Sequence, residues 1–209
     1  MARIKDGIFG GFSGKVGNVV GCKGKTGFYV RSRPVHVSNP RTEPQQAHRT
    51  KFTLAMQFAR TLTPFLRISY REFAGVGQPF HAAVSSILKN AVVEAGVGYA
   101  IDFKKALVSR GSLTAAYRAE VTREDDKVRY VWTDNNGEGN ASSSDVTLLA
   151  VFNERCWMAV YSDAVASRSD EKAELSIPAD WRDDELAVYL GFRSLDGKTV
   201  SNSVCLWVK

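Results

Sequence analysis

Gly21-Cys22-Lys23-Gly24-Lys25-Thr26 is the stretch whose residue types come nearest to a known chemistry, because glycine, lysine and threonine in this order can cradle phosphate. A phosphate-binding loop needs a further glycine five residues before the Gly-Lys-Thr triplet. Val19 occupies that position, and Gly17 and Gly21 fall out of register. The pattern also predicts neither a long buried strand before the loop nor a helix after it, so nucleotide binding is set aside. His36, His48 and His81 are far apart in sequence, and no HxxxH or CxxC spacing offers a metal set. Asp134-Asn135-Asn136-Gly137-Glu138 hints at calcium, but its glycine comes fourth where an EF-hand loop needs it sixth. Asp125-Asp126 and Asp183-Asp184-Glu185 fall in predicted turns, where solvation is the simplest fate, and nothing selects a carboxylate pair for glycoside hydrolysis. The expectation is therefore no catalytic residue, no metal, no cofactor and no small-molecule substrate.

A second set of residues suits contact with another macromolecule. Lys15, Lys23, Lys25, Arg31 and Arg33 surround Phe28 and Tyr29 in a glycine-rich stretch. The cations can neutralise phosphates and the rings can stack on bases. The same cations can equally dock on an acidic protein surface. Arg41, Arg49, Arg60, Arg67 and Arg71 could extend the basic patch, but no helix–turn–helix, zinc-finger or RNP signature accompanies them. Trp157 and Trp207 fall on the opposite parity from the apolar residues of their strands. They are candidate interface aromatics if exposed, with packing beneath helices as the alternative. Trp132 keeps the parity of Val128 and Tyr130 and reads as core.

The elements that position these residues follow from composition and period. Eight of the 17 glycines fall within the first 27 residues, which implies tight turns or close backbone approach. Residues 14–33 alternate as strand, GKTG turn and strand, a hairpin pattern. Thr42-Glu43-Pro44-Gln45 is a helix start. Phe52, Ala55, Met56, Ala59 and Leu62 give the helix an apolar face opposite Gln46, Arg49, Thr53, Gln57 and Arg60. Thr63-Pro64 opens a second helix running to about Phe73, and a third carries Phe80, Val84, Ile87, Leu88 and Ala91 until Gly96 and Gly98 end it. After Gly111 the period becomes two. Seven short runs, from Ala115–Val121 to Val200–Leu206, are separated by turn clusters that include Asp196-Gly197. That pattern predicts an α+β protein with a glycine-rich β-hairpin arm (1–38), a short helical segment (39–110) and an immunoglobulin/fibronectin-III-like antiparallel β-sandwich (111–209).

Charge divides along the same lines. Up to Arg110 there are 17 Lys+Arg against 5 Asp+Glu, and the remainder holds 11 against 17. No apolar run of signal-peptide length follows MARIKD, and no segment reaches the roughly 18 apolar residues of a membrane helix. The three cysteines, odd in number and dispersed, suit reduced thiols. The expectation is a cytoplasmic protein without a membrane partner, with release in a particle left open.

Gly10-Gly11-Phe12-Ser13-Gly14-Lys15-Val16-Gly17-Asn18-Val19-Val20-Gly21, then Gly24-Lys25 and Arg31-Ser32-Arg33-Pro34, resembles the start of a domain-of-unknown-function family from gut bacteria. The likeness continues through Pro40-Arg41-Thr42-Glu43-Pro44-Gln45-Gln46 and Arg49 to Arg168-Ser169-Asp170 and Val200-Ser201-Asn202-Ser203-Val204. That family often has Asp where Asn202 stands. The opening also resembles phage-type structural proteins, in which a glycine-rich hairpin precedes a Thr-x-x-Gln helix. Neither resemblance implies an activity. Together these readings lead to a non-catalytic structural or interaction protein whose partner is itself, as a homo-oligomer or particle, or another protein. A nucleic-acid-binding accessory protein of a phage or mobile element is the alternative.

Overall fold

A computed structural model describes residues 3–4, 10–36, 39, 41–74, 78–96 and 98–208. The chain divides into two compact units, residues 1–42 and 43–209. In the first, β1 (Arg3–Ile4), β2 (Phe12–Val16), β3 (Val19–Gly24) and β4 (Gly27–Ser32) form an antiparallel sheet in that order. The predicted hairpin is β3–β4, closed by Lys25 and Thr26. One further turn comes from Gly17 at φ +53°, which brings Val16 opposite Val19 and makes a strand pair where the alternation suggested one strand.

The second unit opens with α1 (Glu43–Thr61), whose first turn carries Glu43 and Pro44 and whose last carries Arg60, as the helix dipole favours. Its buried face is Ala55, Phe58 and Ala59, continued by Leu62, whereas Phe52 of the predicted apolar face is exposed. The face is rotated because Phe58, not Phe52, meets Phe103 and Phe152. Proline again lies in the first turn of α2 (Thr63–Ser69) and of α3 (Pro79–Asn90). The predicted second helix ends earlier, at Ser69, and a short 3-10 turn covers Arg71–Ala74. Beyond α3 the sequence pattern predicts no strand, yet β5 (Val92–Ala95) and β6 (Gly98–Ile101) form a hairpin. The β-branched pair Val92-Val93 and Gly96 at φ +56° favour that outcome over a longer helix.

Seven strands complete the unit. β7 (Tyr117–Glu124), β8 (Lys127–Thr133) and β11 (Lys172–Ser176) make one sheet, ordered β11-β8-β7. β9 (Val146–Asn153), β10 (Met158–Ser167), β12 (Leu186–Arg193) and β13 (Val204–Val208) make the other, ordered β10-β9-β12-β13. Every pair is antiparallel, and the chain passes from the first sheet to the second, back for β11, and out again. This is the Greek-key sandwich of the immunoglobulin and fibronectin-III class within an α+β fold.

The four-stranded sheet is buried on both faces. Leu149 and Val151 of β9 and Leu186, Val188, Leu190 and Phe192 of β12 face Val128, Tyr130 and Trp132 of the opposing sheet. The alternate residues Leu148, Ala150, Phe152, Ala187 and Tyr189 pack against Phe58, Phe65, Leu66 and Ile87 of the helices. Strands covered on both sides read as continuous apolar runs, and Leu148-Leu149-Ala150-Val151-Phe152 is one. The molecule's second unit is thus three layers, sheet on sheet on helices.

Candidate interaction arm

The arm's geometry begins with two glycines that have no room for a side chain. A Cβ on Gly21 would lie 2.2 Å from the Phe12 carbonyl oxygen and 2.5 Å from its ring. One on Gly11 would lie 2.1 Å from the Phe28 ring. Two phenylalanines therefore lie flat on bare backbone and give the one-layer sheet apolar cover from its own side chains.

Register sorts the remaining side chains. Lys15, Val20 and Arg31 stand in one row across β2, β3 and β4, with Cys22 opposite Tyr29 on the same face. The other face carries Val16 opposite Val19, Gly21 opposite Val30 and Lys23 opposite Phe28. The Lys23 ammonium sits 5.7 Å from the Phe28 ring centre. Lys25 is on the turn, and Arg33 lies just beyond β4, where its N–H donates to the Asn18 carbonyl at 2.7 Å. The structure therefore groups Lys15, Tyr29 and Arg31 on one face, Lys23 and Phe28 on the other, and leaves Lys25 and Arg33 at the ends. Phe28, Tyr29 and Val30 are 47%, 55% and 56% exposed, three consecutive large apolar residues on one strand. The unit carries 8 Lys+Arg and 1 Asp+Glu, which leaves 20 and 21 of the chain's 28 and 22 for the second unit. One feature of the arm escaped the sequence: β4 is the terminal strand of its sheet, so half of its backbone groups face outward.

Trp157 and Trp207 belong to the second unit and are half-buried against the helical core. Trp157 meets the Phe152 ring at 5.3 Å and Trp207 the Phe103 ring at 6.0 Å. Their opposite parity points them at the helices, the packing alternative, rather than outward as interface aromatics.

The family-like motifs of the second unit hold it together. The Arg168 guanidinium is fully buried. It donates to the Asp145 carboxylate at 3.1 Å, to Asn135 Oδ1 at 2.6 Å and to the Thr114 carbonyl at 2.9 Å, with its flat side 3.9 Å above the Phe192 ring. Asn135, in the loop that hinted at calcium, is thus committed to an arginine. Ser203 Oγ accepts from the Val108 N–H at 3.0 Å, Ser109 Oγ donates to the Ser201 carbonyl at 2.8 Å, and Asn202 Oδ1 accepts from the Gly111 N–H at 3.2 Å. Glu72 accepts from the Ser112 N–H at 3.0 Å and from the Val200 N–H. This clasp ties the helical segment to the last hairpin of the sandwich.

Ionisable groups follow their structural partners. Hydrogen bonds from the Arg155 guanidinium and then from Asn153 hold the Asp184 carboxyl below the usual carboxylate range. Arg129 and Lys127 do the same for Glu174. Burial pushes the Cys205 thiol up to about 11 and raises the phenols of Tyr130 and Tyr189. These carboxyl shifts run down and the thiol and phenol shifts run up, away from the near-neutral poise of a general acid or base. His48 and His81 are exposed on α1 and α3, and His36 is exposed in the arm's unit. Among the described residues no three His, Cys, Asp or Glu side chains gather as a metal set, and no helix is long and apolar enough to cross a membrane. A groove of about 540 Å³ beside Trp207 is lined by Ile101, Asp102, Phe103, Lys104, Glu154 and Glu185. Asp102 there is engaged by Lys105 at 3.2 Å.

Comparison with known proteins adds a family and a distant likeness in structure. The model of a family of unknown function, DUF6266, matches residues 11–207. No curated protein matches the chain. Among solved structures, the fn3 domain of human contactin 1 is similar over 48% of this chain and 82% of its own, at 10% identity and a TM-score of 0.33.

Proposed function

We propose, from the premise that the chain belongs to DUF6266, a family with no assigned activity to inherit, that it is a non-catalytic structural or interaction protein working through its arm. Self-assembly, or docking of the arm on an acidic surface of another protein, is the action. The observation that carries this is the arm's open sheet, which exposes Phe28, Tyr29 and Val30 and concentrates 8 of the chain's 28 basic residues in its first 42. Phe28 and Val30 leave one face of the sheet apolar and open, Tyr29 does so on the other, and the unpaired edge supplies the hydrogen bonds of a docking site. The second unit, with two packed cores and its polar motifs consumed by internal contacts, serves as the scaffold.

Light scattering of the full chain against one lacking residues 1–34 tests the reading. The expected outcome is a larger native mass for the full chain, or capture of an acidic partner that the shortened chain does not capture. Equal monomers with equal partner binding would sink it. The same cations favour a second reading, nucleic-acid binding, because Lys15 and Arg31 flank Tyr29 on one face. Its signature is retardation of DNA or RNA at low salt that weakens when Lys15, Lys23, Lys25, Arg31 and Arg33 are neutralised.

A further inference from the structure

The outward half of β4 has a definite hydrogen-bonding pattern. A two-residue turn makes Gly24 and Gly27 a hydrogen-bonded pair, so alternation gives β3 the backbone groups of Tyr29 and Arg31. The bond from Arg33 N–H to the Asn18 carbonyl continues the same parity. The N–H and C=O groups of Phe28, Val30 and Ser32 therefore point away from β3, and no strand among the described residues pairs with them. Gly27–Ser32 contains no proline, no bulge and no register shift, and Arg31 is its one charged residue.

We infer that this edge pairs with the same edge of a second copy of the chain, antiparallel, about a two-fold axis through Val30. The inference rests on the self-assembly reading above and supplies its partner and register. Under that axis Val30 lies opposite the partner's Val30 and Phe28 opposite the partner's Ser32, so all three outward residues exchange hydrogen bonds. On the other face Arg31 lies opposite the partner's Tyr29, a cation over a ring, and the pair is repeated by the symmetry. Sliding one step toward the C-terminus sets Arg31 against the partner's Arg31, a like-charge pair. Sliding the other way sets Phe28 against Val30 and leaves Ser32 beyond the partner's strand. The side-chain order of β4 is thus complementary to itself in one register, which favours a second copy over an unrelated strand. Both arms are strongly basic, so added salt strengthens this pairing, whereas it weakens docking on an acidic surface.

Sedimentation of the full chain with Val30→Pro and Val30→Thr tests it. Wild type and Val30→Thr are expected to sediment as dimers of the 23.0 kDa chain, tighter when salt rises from about 0.05 to about 0.5 M. Val30→Pro removes an outward N–H and no bond to β3, and is expected to weaken dimerisation at least about tenfold. A second variant guards against a misfolded arm: Val30→Cys in a chain with Cys22, Cys156 and Cys205 changed to serine is expected to form a disulfide-linked dimer on mild oxidation. Assembly that survives Val30→Pro without Val30→Cys cross-linking overturns the edge pairing but leaves self-assembly standing. A wild type that stays monomeric up to about 100 µM overturns self-assembly altogether and leaves only docking on other partners.

Discussion

A buried arginine ties separate loops of the sandwich together. Arg168 has no exposed surface, and its hydrogen bonds reach three separate segments at Thr114, Asn135 and Asp145. Arg168→Met leaves the Asp145 carboxylate buried without its cation and is expected to cost about 3–5 kcal/mol in urea unfolding. Arg168→Lys recovers little of that, because an ammonium cannot serve three directions in one plane. Cys205 has a quieter influence that shows only in alkali. Burial raises its folded pKa to about 11 from the ordinary thiol value of 9.0, so the unfolded chain loses the thiol proton first. Its stabilising contribution is complete below pH 9 and disappears as pH rises toward 11. Denaturation at stepped pH is expected to show a steeper alkaline loss for wild type than for Cys205→Ala. Little of this is legible in the sequence: Arg168-Ser169-Asp170 resembles a family motif, but no local pattern tells a buried guanidinium from a surface one.

Among the elements, legibility followed the number of buried faces. β8 buries one face, and its alternation puts Trp132 in the core at 2% exposure, whereas β7 half-buries Ala119 and Val121 but leaves Tyr117 exposed before a register shift. In β9 and β12 both faces are covered, so period two no longer says which parity faces which layer. Val146, Leu148, Ala150 and Phe152 read as an inward set, yet Leu148, Ala150 and Phe152 face the helices and Leu149 and Val151 fill the sandwich. Trp157 and Trp207 looked anomalous for the same reason. The β5–β6 hairpin was hidden by its brevity, and β4's status as an edge is a property of strand order, which no single strand encodes. The clasp between helices and sandwich depends on serines too common to stand out. Ser203→Ala leaves the Val108 and Ser109 N–H groups without their acceptor in a buried setting. It is expected to cost about 1–3 kcal/mol with an unchanged denaturant slope.

At the scale of the whole molecule, a twice-covered sheet and a one-layer arm coexist in one chain, and their stabilities should differ accordingly. Hydrogen exchange is expected to be slowest at Leu148–Phe152 and Leu186–Gly191, between two packed layers, and fast at Phe28, Val30 and Ser32 in the monomer. Fast exchange at Leu149 or Val188 would contradict the layered core. The partition of charge has an outcome of its own. With 8 basic and 1 acidic residue, residues 1–42 account for the chain's basic isoelectric point near 9.3, since the other 167 residues hold 20 against 21. A single proteolytic cut near Thr42 would therefore turn a cationic protein into a nearly neutral one without touching either packed core. Isoelectric focusing would resolve the two forms as well-separated bands, and a cell that trimmed the arm would change what the remaining protein is attracted to in one irreversible step.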